Sequence, residues 1–218
     1  QTSAREELRR LASIAGIAVH NTRLYRLATV DGLTGLYVRR FFERRYAEEA
    51  ARCRRSALAM SLLLVDLDDF KQVNDRFGHP VGDDVLRWMA KMLRKALRLA
   101  DVPCRYGGDE FVILLPDTEP QDARLVAERL QRAIAEHVFE HDGERIQCTV
   151  SIGIAGVRCT QGEEVPDLMV AADQALYRSK ATRGKGLIVI AEIEQGDDAT
   201  ATGRRKANPK VAATATEN

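Results

Sequence analysis

Small and apolar positions at the start of the chain recur at alternating three- and four-residue steps, through Leu8, Leu11, Ala15, Ala18, Thr22 and Tyr25. That is the period of a seam between two helices, and it predicts a helix over residues 4–28. Asp31-Gly32-Leu33-Thr34-Gly35-Leu36 breaks the period with two glycines, and a second helix follows over residues 39–55 with Arg and Glu on its wet face. Residues 58–67 are short, aliphatic and bounded by polar residues, as a central strand buried on both faces would be. The run ends in an acidic cluster, Asp66, Asp68 and Asp69, and the next stretch reads as a short loop. An amphipathic helix follows over residues 82–99, with Val85, Leu86, Met89, Met92, Leu93 and Leu97 on one side. Two extended runs, residues 104–106 and 109–115, flank Gly107-Gly108, which supplies the positive φ angles of a tight hairpin turn. A helix over residues 121–135, strands within 145–157, a helix over 165–179 and a last strand at 187–190 complete an α+β pattern with an antiparallel element. Residues 195–218 hold Ala, Thr, Gly, Asn and charges without apolar period, the composition of a disordered tail. The pattern thus divides into a stalk helix (1–28), a globular domain (29–194) and a tail (195–218).

Composition narrows the partners. With 218 residues and 45% hydrophobic content, the chain can bury one core and carry a helical appendage. Lys plus Arg (33) nearly balances Asp plus Glu (32), so the totals announce no basic face for DNA, RNA or an anionic membrane. The longest nearly apolar run, residues 57–65, is far short of the roughly 20 residues of a spanning helix. A soluble, cytoplasmic protein is the expectation. The chain opens on Gln1 inside a helical pattern, which reads as a piece of a longer protein. Cys53, Cys104, Cys148 and Cys159 are widely spread, without the CxxC pairs of a zinc site, and read as reduced core thiols.

The acids carry the candidate chemistry. A carboxylate at the end of a buried strand is costly unless something positive pairs with it, and a hard cation is a natural partner for Asp66. A hairpin laid beside that strand brings Asp109 and Glu110 within reach. Two or three carboxylates, a backbone carbonyl, waters and phosphate oxygens make the octahedron that magnesium takes. Acids at strand ends also cap helices or simply face water, a reading that holds for any one of them more easily than for two clusters together. Lys71 follows the strand through a loop whose free N–H groups suit phosphate, with the lysine adding a point charge.

Arg105-Tyr106-Gly107-Gly108-Asp109-Glu110-Phe111 contains the signature of the GGDEF family of diguanylate cyclases, and it does not stand alone. Asp31-Gly32-Leu33-Thr34-Gly35-Leu36 with Arg39-Arg40 resembles the family's opening motif. The stretch from Val65-Asp66-Leu67-Asp68-Asp69-Phe70-Lys71 through Asn74-Asp75, Phe77-Gly78-His79 and Gly82-Asp83 is similar to its nucleotide-binding stretch. The resemblance spans residues 29–190 and implies a central, mostly antiparallel sheet flanked by helices, akin to the palm of adenylyl cyclases and polymerases. It implies the reaction of two GTP to cyclic di-GMP and two pyrophosphates, in a homodimer of facing heads, with Mg2+ (or Mn2+) as cofactor.

By the same resemblance, Asp66 and Asp109 hold the metal with the carbonyl of Leu67, Glu110 assists, and Asp109 is the base for the 3′-hydroxyl. Asn74 and Asp83 match positions that hydrogen-bond guanine, which favours GTP because adenine lacks the N1–H and 2-amino donors. Phe70, His79, Gly107 and Gly108 match further substrate contacts. Lys71 stabilises the pentavalent phosphorus and Lys180 binds triphosphate. Arg98-Leu99-Ala100-Asp101 has the RxxD form of a product-inhibition site, with Arg129 as its second arginine; an ion pair at a helix end is the plainer reading of the same residues. The family reaches a Gly-Arg-Asn or Gly-Lys-Asn turn after the lysine, whereas here Ala181-Thr182-Arg183-Gly184-Lys185-Gly186 carries one extra residue, leaving open which of Arg183 and Lys185 meets phosphate. The opening helix resembles the last helix of a GAF sensory domain. A catalytically silent head that binds GTP or cyclic di-GMP is the main alternative, a structural dimerisation unit a second, and a cyclase of adenine-containing rings a third; the intact signature argues against the first and Asp83 against the last.

Overall fold

The computed structural model describes residues 27–181 and 186–193, together with 14–17, 20 and 25. Of the stalk, residues 14–17, 20, 25, 27 and 28 are helical; its remainder, the tail, Arg183 and Lys185 lie outside the described residues.

The strands are β1 (Tyr37–Val38), β2 (Ala59–Leu67), β3 (Val102–Gly107), β4 (Glu110–Pro116), β5 (Val138–His141), β6 (Glu144–Gln147), β7 (Val150–Arg158) and β8 (Ile188–Ile190). The helices within the globular part are α1 (Arg39–Ser56), α2 (Phe70–Phe77), α3 (His79–Ala96), α4 (Pro120–Ala135) and α5 (Leu168–Ala181). Six strands form one sheet in the order β1-β3-β4-β2-β7-β8, and β5-β6 stand apart as a hairpin. The three inner pairings are antiparallel, and only the edge pairs β1/β3 and β7/β8 are parallel. A mostly antiparallel sheet flanked by helices is therefore what the sequence folds into.

The side-chain alternation of β2 explains how both sheet faces are covered. Leu63, Val65 and Leu67 join Val85, Met89, Leu93, Ala127 and Leu130 in a core under α3 and α4. Met60 and Leu62 join Phe42, Leu168 and Ala172 in a second core under α1 and α5. Gly153 of β7 permits that second packing: a Cβ there would lie 2.2 Å from the Ala172 carbonyl oxygen and 2.5 Å from the Leu176 nitrogen. The strand thus touches the backbone of α5, the helix that carries Lys180.

Two expectations are corrected. Residues 70–77 are the helix α2 rather than a loop, and α3 begins at His79, with Pro80 in its first turn, rather than at Gly82. Proline suits that first turn because its missing N–H has no partner there in any case. The cysteines are not all thiols: Cys53 and Cys159 form a disulfide across 106 residues, their Cα atoms 5.7 Å apart, while Cys104 and Cys148 are free and buried. The pairing arises because the end of α1 and the end of β7 meet beside the start of β2, where the Cys159 N–H donates to the Leu58 carbonyl at 2.8 Å. Among the described residues no helix is long and apolar enough to cross a membrane.

Candidate active site

Strand register sets the centre of the site. Asp66, near the end of β2, is the direct cross-strand partner of Glu110 at the start of β4. Like charges placed opposite each other repel, and here Asp66 is only 7% exposed. Burial pushes its carboxyl above the ordinary value; Lys180 draws it back, and the negative charges of Asp109 and Glu110 add to the rise. Lys180, from the last turn of α5, brings its Nζ within 2.8 Å of Asp66 Oδ2. The positive partner that a buried strand-end acid requires is thus an ammonium group of the chain itself.

The β3–β4 turn is braced from below. Arg105 Nε and Nη2 donate to the Gly108 carbonyl at 3.0 and 2.9 Å. Its Nη1 reaches Asp31 Oδ1 at 3.4 Å, an oxygen that also accepts from the Thr34 N–H (2.8 Å) and hydroxyl (2.6 Å). Partial burial pushes the Asp31 carboxyl up, but the Thr34 donors and Arg105 outweigh it and hold the group below the usual carboxylate range. The Asp31-x-x-Thr34 spacing is an Asx-type turn signal that sequence reading could have used. Gly107, Gly108 and Glu110 are exposed and Asp109 is half-buried, so this turn presents its acids to solvent beside Asp66.

A second group gathers where α2 meets α3. A Cβ at Gly82 would lie 2.0 Å from Asn74 Oδ1 and 3.2 Å from Phe70 Cζ. Asn74 and Phe70 therefore lean directly on the first turns of α3, next to half-buried Asp83. Lys71 and His79 are exposed, Lys71 in the first turn of α2 and His79 at the start of α3. Lys180 stands at Asp66.

At the far end of α3 the arginine and aspartate candidates also come together. Asp101 Oδ2 accepts from the Arg98 N–H at 2.8 Å, and Arg129 Nη2 reaches back to the Ala96 carbonyl. Burial raises the Asp101 carboxyl, opposed by that backbone donor and by the charges of Arg98 and Arg129.

Among the described residues, no group of three His, Cys, Asp or Glu side chains converges to hold a metal ion. A cation at Asp66 would be held by few protein carboxylates and would need other oxygens. That arrangement fits magnesium, which binds through one or two carboxylates and substrate phosphates. The negative charges of Asp109 and Glu110 near a desolvated Asp66 fit it as well.

A family model described as "Diguanylate cyclase, GGDEF domain" matches residues 28–185. The chain belongs to the GGDEF family. Among its GGDEF relatives is Diguanylate cyclase A of Treponema denticola, 36% identical over 78% of this chain and 46% of that protein. Response regulator PleD of Caulobacter vibrioides is 39% identical over 75% of this chain and 36% of that protein. The chain thus spans less than half the length of these two relatives. The coiled coil and GGDEF domain of DgcB from Caulobacter crescentus, solved in complex with c-di-GMP, superposes with a TM-score of 0.77 at 27% identity, covering 88% of this chain and all of that one.

Proposed function

We propose that this chain is a diguanylate cyclase head that joins two GTP molecules into cyclic di-GMP. The observation that carries the proposal is the pairing of desolvated Asp66 with Glu110 across β2 and β4, beside an intact Gly107-Gly108-Asp109 turn. Asp66, Asp109 and the Leu67 carbonyl, helped by Glu110, would hold a divalent cation, Mg2+ or Mn2+, which when bound neutralises phosphate charge and acidifies the 3′-hydroxyl.

The chain's own groups do the rest. Asn74 and Asp83 select guanine, Phe70 and His79 line the nucleoside, and the exposed backbone of Gly107 and Gly108 lets the substrate approach. Asp109 takes the 3′-hydroxyl proton as that oxygen bonds the α-phosphorus of the GTP on the facing head. The bond from that phosphorus to the β-phosphate bridge breaks and pyrophosphate leaves, with Lys71 and Lys180 balancing charge on the transferring and leaving phosphates. A ring with two phosphodiester bonds needs this twice, so two heads meet about a two-fold axis. The opening helix, similar to the last helix of a GAF domain, serves as the stalk that pairs them and sets their spacing. GTP supply puts the reaction in the cytoplasm. Arg98, Asp101 and Arg129 form the site at which the product inhibits.

The test is incubation of the protein with GTP and Mg2+ and chromatography of the products, beside Asp109→Ala. Cyclic di-GMP is expected from the parent and none from the variant. No product at protein concentrations where heads pair, or equal product from the variant, overturns the proposal. The grouping of Arg98, Asp101 and Arg129 supports one second reading, a silent head that binds cyclic di-GMP, for which calorimetry would show product binding without turnover.

A further inference from the structure

The register that sets Asp66 opposite Glu110 also sets Leu64 opposite Val112, so these side chains share one face of the sheet. Val112 belongs to the core under α1 and α5, and half-buried Leu64 packs against it. Toward the Glu110 end that cover is incomplete. Between α5 and the β3–β4 hairpin lies a cavity of about 290 Å³, with Leu64 and Val112 as its floor, Met169 of α5 on one side and Tyr106 of β3 on the other. The Tyr106 wall is preformed: the Arg39 guanidinium lies 4.4 Å from its ring centroid and Phe42 meets it edge-on at 6.1 Å. Arg39 is itself bound to Glu43 at 2.7 Å. Among the described residues no basic side chain lines the cavity. Its charged lining groups are the carboxylates of Glu110 and Asp173, both exposed and therefore at the mouth.

We propose that this cavity binds a small organic cation, of the class of aromatic amidines and amines, with its ring on Leu64 and Val112 and its charge at Glu110 and Asp173. Size argues for a single ring, since ligand pockets run from roughly 300 to 1,000 Å³. Chemistry argues for the charge. A neutral apolar ligand would draw water away from two carboxylates and offer them nothing, and an anion would be repelled. The fixed aromatic wall lowers the ordering cost of binding. Glu110 lines this cavity and also faces Asp66 across the strands. A ligand that engages Glu110 therefore competes for its charge with a divalent cation at Asp66. That competition rests on the cyclase reading; the binding does not.

Benzamidine is the probe, uncharged benzamide its near-isostere, and the reporter is the Met169 methyl group, read by NMR in methionine-labelled protein. Met60, Met89 and Met92 do not line the cavity and serve as controls. Benzamidine is expected to shift Met169 saturably and leave the other three in place, and benzamide to bind about tenfold more weakly, for want of charged hydrogen bonds. Asp173→Asn should weaken benzamidine about three- to fivefold, the size of an exposed ion pair, and Asp173→Lys about tenfold, since the charge is then reversed. Leu64→Phe fills the floor and is expected to abolish the shift; should it not fold, Asp173→Lys, at an exposed position, carries the test. Mn2+ affinity beside a non-hydrolysable GTP analogue, read by electron paramagnetic resonance, is expected to fall about five- to tenfold at saturating benzamidine, and Mn2+ to weaken benzamidine by the same factor. The absence of a saturable Met169 shift, or equal affinities for benzamidine and benzamide, overturns the site. Unchanged Mn2+ affinity with benzamidine bound overturns the competition at Glu110. If neither Mn2+ nor the analogue binds the parent, the cyclase reading fails, while the Met169 titration still decides the cavity.

Discussion

Gly82→Ala separates a binding effect from a stability effect at one position. The added Cβ would meet Asn74 Oδ1 at 2.0 Å and Phe70 Cζ at 3.2 Å, and its three nearest neighbours are all side-chain atoms. The asparagine tip must retreat by about 1.4 Å to reach ordinary contact, and a misplacement of ~1 Å in a positioning group can cost about a hundredfold. Phe70 needs to give only a few tenths of an ångström. The obstacle is the end of a rotatable side chain, and Gly82 lies within α3 without a positive φ, so alanine there gains up to about 1 kcal/mol of helix propensity. Stability is therefore expected to hold within ~1 kcal/mol in urea denaturation, while affinity for a non-hydrolysable GTP analogue falls about 10- to 100-fold by calorimetry. Asn74→Ala in the Gly82→Ala background should then cost almost nothing further, since the two changes act on one contact. Parental affinity in Gly82→Ala would refute the assignment of Asn74 to guanine. A stability loss above ~2 kcal/mol would refute the claim that only a side-chain tip stands in the way.

Gly153→Ala is expected to do the reverse, since its Cβ would strike the Ala172 carbonyl and Leu176 nitrogen of α5, atoms that cannot rotate aside; urea denaturation should show a loss of about 1–3 kcal/mol, and a parental midpoint would contradict the close approach of strand and helix. Asp31, whose folded carboxyl is held below its ordinary value of 3.8, contributes stability that is complete above that value and disappears as pH falls through the lowered folded value. Denaturation midpoints of the parent and Asp31→Asn should therefore differ at neutral pH and converge in acid, and a difference that persists in acid would count against the Thr34 and Arg105 contacts as its source.

The parts of the fold that were legible are those in which one segment carries its own instruction. The short, continuous aliphatic run of residues 58–67 specified a strand buried on both faces, and Gly107-Gly108 between extended runs specified the hairpin that puts Glu110 opposite Asp66. Helix α2 lacked a capping signal, since no side chain caps its start, but it did carry an apolar period that the loop reading passed over: Phe70, Val73 and Phe77 at i, i+3 and i+7 pack against the core. The β5–β6 hairpin did carry a local mark, the Asp142-Gly143 turn with both residues at positive φ. The site's long-range partners had no local mark at all. Lys180 meets Asp66, Gly186 meets Asp68 and Cys53 meets Cys159 only because β7 and α5 return the chain to the ends of β2.

The ammonium of Lys180 at Asp66 makes the site a competition between ions. One contender is tethered, and a tethered group acts at an effective concentration that is fixed by its linkage and independent of the solution. Any cation arriving from outside must outperform a positive charge already in position. A monovalent ion brings no more charge than the lysine and carries no tether. A divalent ion brings a second positive charge to a place where Asp109 and Glu110 add their negative charges to that of Asp66. The chain's built-in counter-ion thus acts as a threshold for valence, and displacing it frees a basic side chain in the last turn of α5.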